Sequence, residues 1–361
     1  MSELLVHDSP NGNAQAYVEQ DDRVAYLYLA GDETSGLGVR SCWVRNLAPA
    51  PDDVDVEAMK RGEAPLLPRA HCRHPGGAPP LEPGGLRIVW LEEGDAAALL
   101  QGDELLAVIP GWSGHGGFHG YARDCVGQSP LAWELGPENA MHERVRRAEE
   151  AWAAWDAEPG PWPPLQEAAT AALAAQLGPY SNYYAIDGGA WPPTAMVRIP
   201  VREGAAFVTV GMCQRPQPVV ERVHADPAPY RRIELGICVS SEVDAGLQRR
   251  LSEYMAGQAR LPWVKHTWLG DGHTIPCSAF GGESPMAAVL LLARPPEAPV
   301  LSLPTHRGDP VTVLWMVPIT AAERELAMRE GSGSLVRRLA GEGRGWMYRP
   351  PRRGWRSRFG R

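Results

Sequence analysis

The sequence predicts an α+β protein of two domains: a mixed, mainly antiparallel sheet packed with helices, preceded by a β-rich α+β domain. Three observations carry that expectation. Short apolar runs bounded by Gly, Pro, Asn and Asp dominate residues 14–136, as in strands joined by tight turns. Residues 138–157 then read as a helix, because Met141, Val145, Ala148, Trp152 and Trp155 recur at spacings of three and four. The next stretch, EPGPWPP (158–164), cannot continue that helix, since proline removes a backbone donor and forces its predecessor into extended geometry. At 361 residues, 44% hydrophobic and 22% charged, the chain is long enough for two cores and has the composition of a globular protein.

Within 14–136, a domain of no recognised family, AQAYVEQ (14–20), RVAYLYLAG (23–31) and GVRSCWVRNL (38–47) predict a three-strand meander with Asp21 and Asp22 at the first hairpin. Pro and Gly break up residues 48–85, leaving room for one short helix at 54–61. LRIVWLEE (86–93) and ELLAVIPGW (104–112) resume the strands on either side of a short helix expected to begin near Asp95. Residues 137–164 form the helix and Pro-rich linker at the domain junction.

The second domain, 165–341, opens with a helix at 165–177 that stops at Gly178-Pro179. MVRIPVR (196–202), AFVTVGMC (206–213) and RRIELGICVS (231–240) read as strands, residues 247–258 as a helix, and LGDGHTIPCSAFGG (269–282) as a glycine-rich loop. AAVLLLA (287–293) and VTVLWMVPI (311–319) are continuous apolar runs of the kind that sit centrally in a covered sheet. Thr320 and Glu323 have capping-box spacing and open a helix whose Glu323, Arg324, Glu325, Arg329 and Glu330 are expected to face solvent. Residues 342–361 are Arg-rich and expected to be a disordered tail.

Net charge is −8, unevenly placed. The last 27 residues hold nine Arg and one Glu, leaving 26 basic against 42 acidic residues elsewhere, a body of charge −16. Only the tail could attract nucleic acid, and nothing favours a membrane surface. Six cysteines, at 42, 72, 125, 213, 238 and 277, contain no CxxC pair and read as reduced cytoplasmic thiols. No targeting segment or run of ~18 apolar residues is visible, so a cytoplasmic, unprocessed protein is expected. Lys occurs only at 60 and 265 against abundant Arg, which points to a GC-rich bacterial coding sequence.

Three constellations carry chemistry in principle. In GWSGHGGFHGYARDC (111–125), His115, His119 and Asp124 are zinc-ligand types, with a second cluster at His71 to His74, but the glycines argue for a surface loop over a metal site. In the 269–282 loop, Asp271, His273 and Cys277 suggest a Cys–His nucleophile, yet side chains four apart in an extended loop point apart, and no phosphate-loop, zinc-protease or serine-elbow motif supports an enzyme. In the tail, Trp346, Tyr348, Trp355 and Phe359 interleave with Arg as in single-stranded nucleic-acid binding, against the alternative of a solvated end.

From residue 165 to 341 the order of segments resembles the Suppressor of Fused domain. The likeness rests on WPPTAMVRIPVR, FVTVGMCQRP, RRIELGICVS, GDGHTIP, VLLLARPP and VTVLWMVPIT running into TAAERELA. That resemblance implies a non-enzymatic adaptor without cofactor. The animal member is a regulator that grips a short extended segment of a transcription factor between two lobes, and bacterial members are thought to be immunity proteins beside polymorphic toxins. The chain departs from the animal pattern in having no counterpart of its C-terminal lobe after Gly341. The expected role is a cytoplasmic immunity protein that binds a protein partner, with a basic toxin domain as the candidate. Tyr230, Arg231, Arg232 and Glu234 at the start of a strand, with Asp271, His273 and Thr274 in the glycine loop, are the expected binding surface. The alternatives left open are a metal-dependent enzyme on His115, His119 and Asp124, and an RNA-associated regulator acting through the tail.

Overall fold

The computed structural model describes residues 2–10, 12–33, 35–281 and 284–350. The chain divides into two compact units, one comprising Met1–Gly160, Glu221–Ala225 and Trp263–Thr267, the other Pro161–Val220, Asp226–Pro262 and Trp268–Arg361. The fold is α+β. No helix among the described residues is long and apolar enough to cross a membrane.

In the first unit, β1 (Ser2–Asp8), β2 (Ala14–Gln20), β3 (Val24–Gly31) and β4 (Val39–Asn46) form a four-stranded antiparallel meander. Asp21 shapes the β2–β3 turn, its Oδ1 accepting from the amides of Arg23 and Val24 at 2.8 Å each. The meander has one more strand than its sequence predicts: SELLVHD pairs with β2 although only its middle is even half-buried. After α1 (Val56–Lys60), capped by Asp55, comes a five-stranded sheet of β5 (Leu86–Trp90), β6 (Ala97–Gln101), β7 (Glu104–Ile109), β8 (Tyr121–Ala122) and β9 (Trp133–Glu134). The helix expected near Asp95 is therefore strand β6. Only five residues long, it lies between Gly94 and Gly102, both at positive φ, with Ala97, Ala98 and Leu99 fully buried. Helix α2 (Met141–Asp156) buries Met141, Val145, Ala148 and Ala151, and Trp152 Nε1 donates to Trp90 O at 2.9 Å.

The second unit begins with α3 (Trp162–Leu177), whose prolines fall in the first turn where a missing N–H costs nothing. Its sheet runs in the order β10 (Asn182–Ala185), β11 (Ala195–Val201), β12 (Gly204–Val210), β13 (Arg232–Ser240), β16 (Val311–Thr320), β15 (Met286–Leu292) and β14 (Thr274–Pro276). Every neighbouring pair on this path is antiparallel except β13–β16. Residues 232–236 of β13 pair with β16, while Cys238 and Val239 pair with the two-residue strand β17 (Met347–Tyr348). Alternate β16 residues supply both clusters on one face: Val313 and Trp315 pack with Ala169 and Leu173 of α3, Val317 and Ile319 with α8 (Ala321–Glu330) and α9 (Ser332–Gly341). The single turn α5 (Ala228–Arg231) and the helix α6 (Ala245–Gln258), which lies against β13, belong to this unit, while the single turns α4 (Val220–Val223) and α7 (Leu261–Val264) fall where the chain passes between the units.

The capping box at Thr320 and Glu323 forms as expected. Glu323, however, does not face solvent: it is buried, and Arg344 Nη2 reaches its Oε2 at 3.1 Å while Nη1 contacts Oε1. Arg344 belongs to the stretch expected to be a disordered tail. Residues 344–348 instead pack into the unit, with Trp346 edge-on to Trp315 at 5.1 Å and Tyr348 against Phe280 at 5.4 Å. Residues 351–361, including Trp355 and Phe359, lie outside the described residues.

Candidate partner-binding site

All nine residues of β13 are buried, so charges on it must find partners inside. Arg232 donates through Nε to Asp309 Oδ2 (3.1 Å) and through Nη1 to the carbonyls of Cys213 (2.9 Å) and Gln214 (3.0 Å). Two residues on, Glu234 accepts from Thr209 Oγ1 (2.7 Å) and from the amides of Gly211 (2.8 Å) and Cys213 (3.2 Å). Burial still pushes its carboxyl above the ordinary range, with those donors opposing. Together the two side chains hold the turn at 211–214 onto the sheet. Gly211 is required there: its φ is +108°, and a Cβ would press on the Trp162 ring and the Pro193 carbonyl.

Arg232 and Glu234 are therefore scaffold, a correction to their expected place on the binding surface. The physical reason is the position of β13, flanked by β12 on one side and β16 on the other. Arg231 is half-exposed but pairs with the other Asp309 oxygen at 3.0 Å, so Asp309 joins two guanidinium groups.

Tyr230 ends at the surface, 37% exposed, and brings the two predicted segments together. Its ring lies edge-on to Trp268 at 6.0 Å, and Trp268 lies edge-on to His273 at 4.4 Å, forming an aromatic row across the start of the glycine loop. Beside it Asp271 is exposed, and its Oδ1 accepts from Ala293 N at 2.7 Å. Thr274 opens β14, one edge of the sheet. Four of the seven predicted residues, Tyr230, Asp271, His273 and Thr274, thus share this region at least partly exposed. Trp268, the centre of the row, was not singled out in the sequence, although a lone Trp before Leu-Gly-Asp-Gly was a legible signal.

The opposite edge was also missed. All four residues of β10 are exposed, Tyr183 and Tyr184 among them, and nearby Tyr180 is 46% exposed. NYYA is too short for period-two reasoning, but tyrosines clustered beside a helix stop are a recognisable composition of binding surfaces. At the β14 edge, Pro276 has no N–H and its carbonyl already accepts from Tyr254 Oη at 2.6 Å.

The chemistry-bearing constellations read differently in three dimensions. Cys277 is buried, which pushes its thiol up to about 11, the reverse of an activated nucleophile. His115 is exposed, His119 Nδ1 lies 3.2 Å from Ser41 O, and Asp124 is buried beside Arg45 (3.1 Å) and Arg123 (2.9 Å). Asp124 is thus neutralised by guanidinium groups. Among the described residues no group of three or more His, Cys, Asp or Glu is placed to hold a metal ion. In the basic stretch, Trp346 and Tyr348 are committed to the core and withdrawn from any stacking platform.

Residues 191–353 match the family model described as Suppressor of fused protein (SUFU). No curated protein matches the chain.

Proposed function

We propose that the chain, whose residues 191–353 match the Suppressor of fused family model, is a protein-interaction module and acts as an immunity protein that neutralises a basic toxin domain by direct binding. The family match carries this reading. The −16 charge outside the last 27 residues supports the sign of the partner, because complementary charge speeds encounter and selects against acidic competitors. Tyr230, Trp268, His273, Asp271 and Thr274 form the contact patch in this reading, as an aromatic row with a carboxylate beside it suits a cationic surface. The β10 edge, with Tyr183 and Tyr184, adds main-chain groups for an extended segment of the same partner.

Titrating the full chain with a basic toxin domain taken from a neighbouring gene, by calorimetry and stopped-flow mixing at several salt concentrations, is the test. A complex whose association rate falls as salt rises is expected, and Tyr230→Ala with Trp268→Ala should weaken it at least ~10-fold. Absence of a complex, or an association rate indifferent to salt, would sink the proposal. Retention of full affinity by the double variant would remove the patch while leaving the role standing.

A further inference from the structure

The first unit contains two cysteines that meet across strands. Cys72, in the long Pro- and Gly-rich loop, and Cys125, just after β8, form an antiparallel bridge. The hydrogen bonds that make it run from Arg73 N to Asp124 O (2.9 Å) and from Val126 N to His71 O (2.8 Å). Both bonds flank the cysteines rather than join them. In such non-hydrogen-bonded pairs the Cα atoms approach to ~4.5 Å and the side chains leave the same face. That spacing falls within the ~4.4–6.8 Å that a disulfide spans. By contrast, Cys42 and Cys238 stand opposite Leu27 and Ala206 in their ladders.

Both members are free thiols here, and their surroundings differ. Cys72 is 8% exposed; burial and the nearby Asp124 carboxylate raise its thiol, with a backbone hydrogen bond from His74 opposing them, and Asn46 Nδ2 lies 3.8 Å from its sulfur. Cys125 has no exposed surface, and its sulfur lies 3.2 Å from Ala132 O. Burial pushes the Cys125 thiol up to about 11, and since it has no surface of its own, the more accessible Cys72 is placed to meet an oxidant first and Cys125 to resolve it.

We propose that Cys72 and Cys125 form a reversible disulfide that fastens the 48–85 loop to the segment following β8. A peroxide is the oxidant class that fits. The Cys72 sulfur attacks one peroxide oxygen, the O–O bond breaks, one water leaves, and a sulfenic acid remains on Cys72. The Cys125 sulfur then displaces that hydroxyl as a second water and the S–S bond forms. Two thiol hydrogens and two electrons leave the protein, and hydrogen peroxide is reduced to two waters. A dithiol reductant reverses the step by exchange.

The full chain, treated with hydrogen peroxide under native conditions, alkylated and peptide-mapped without reductant, tests this. The expected result is a peptide pair joined through Cys72 and Cys125, lighter by two hydrogens, that separates on reduction and accompanies a higher Tm. Cys125→Ser should stop at a singly oxidised Cys72, and Cys213→Ser should leave the link intact. If the serine variants fold poorly, the map of the unaltered chain decides. A link absent from native protein, formed only in denaturant, or joining Cys42 to Cys125 overturns the proposal. The test requires no binding partner and stands apart from the proposed role in toxin neutralisation.

Discussion

Glu234 and Arg344 show how far a single side chain here acts through residues remote in sequence. Glu234→Ala removes the acceptor of three amides and a hydroxyl in a site closed to water, and is expected to cost about 3 kcal/mol in urea unfolding. Arg344→Met leaves the buried Glu323 without its cation, and a loss of about 3 kcal/mol is again expected. Burial alone would raise the Glu323 carboxyl, but Arg344 and the Thr320 amide outweigh it and hold the group below the usual range. Its folded pKa is thus depressed, so its contribution is full above the unfolded carboxylate pKa and is lost as pH falls through the folded one. Unfolding of the native chain and of Arg344→Met, measured from neutral to acid pH, should therefore converge on the acid side; a constant gap would show that Glu323 does not supply it. Sequence reading put Arg232, Glu234 and Glu323 at the surface because RRIE and ERE look like solvated charge. Their partners at 309, 209 and 344 are separated from them by 21 positions or more, and nothing local announces them.

Elements with strong periodicity or composition were legible, and the short ones were not. Helix α2, the β2–β3 hairpin, the capping box of α8 and the buried runs of β15 and β16 follow from pattern and turn chemistry. Strands β10, β14 and β17 have four, three and two residues, and their identity comes from the neighbour each pairs with. The same holds for β6, where an Ala-rich stretch with helical preference is drawn into a sheet by its partners on both sides. At the centre of the second unit, Gly236 leaves room for the Trp315 ring, which a Cβ would approach to 2.8 Å. Gly236→Ala is expected to cost ~1–3 kcal/mol by overpacking the β13–β16 contact, read as a lower Tm. A chain ended after Gly343 should also melt lower than one ended after Pro350, since only the first loses Arg344, Trp346 and β17.

For the whole molecule, the sequence conveyed the class, the charge asymmetry and the half carrying the SUFU match. It conveyed less about the binding surface, because exposure depends on which strand lies at an edge, and edges are a property of the assembled sheet. The pairing of β13 has a consequence for the order in which the second unit is made. This strand, which ends at Ser240, is held on one side by β12 and also by two parallel neighbours, one of which begins only at Met347. Parallel contacts at such separation form slowly and late. A nascent chain stalled with residue 343 at the exit of the ribosome should therefore be more open to protease around 238–240 than the released chain. Synthesis must pass Tyr348 before the last turn of pairing along this strand can close, and until then the free edge at Cys238 and Val239 has to be kept from other chains.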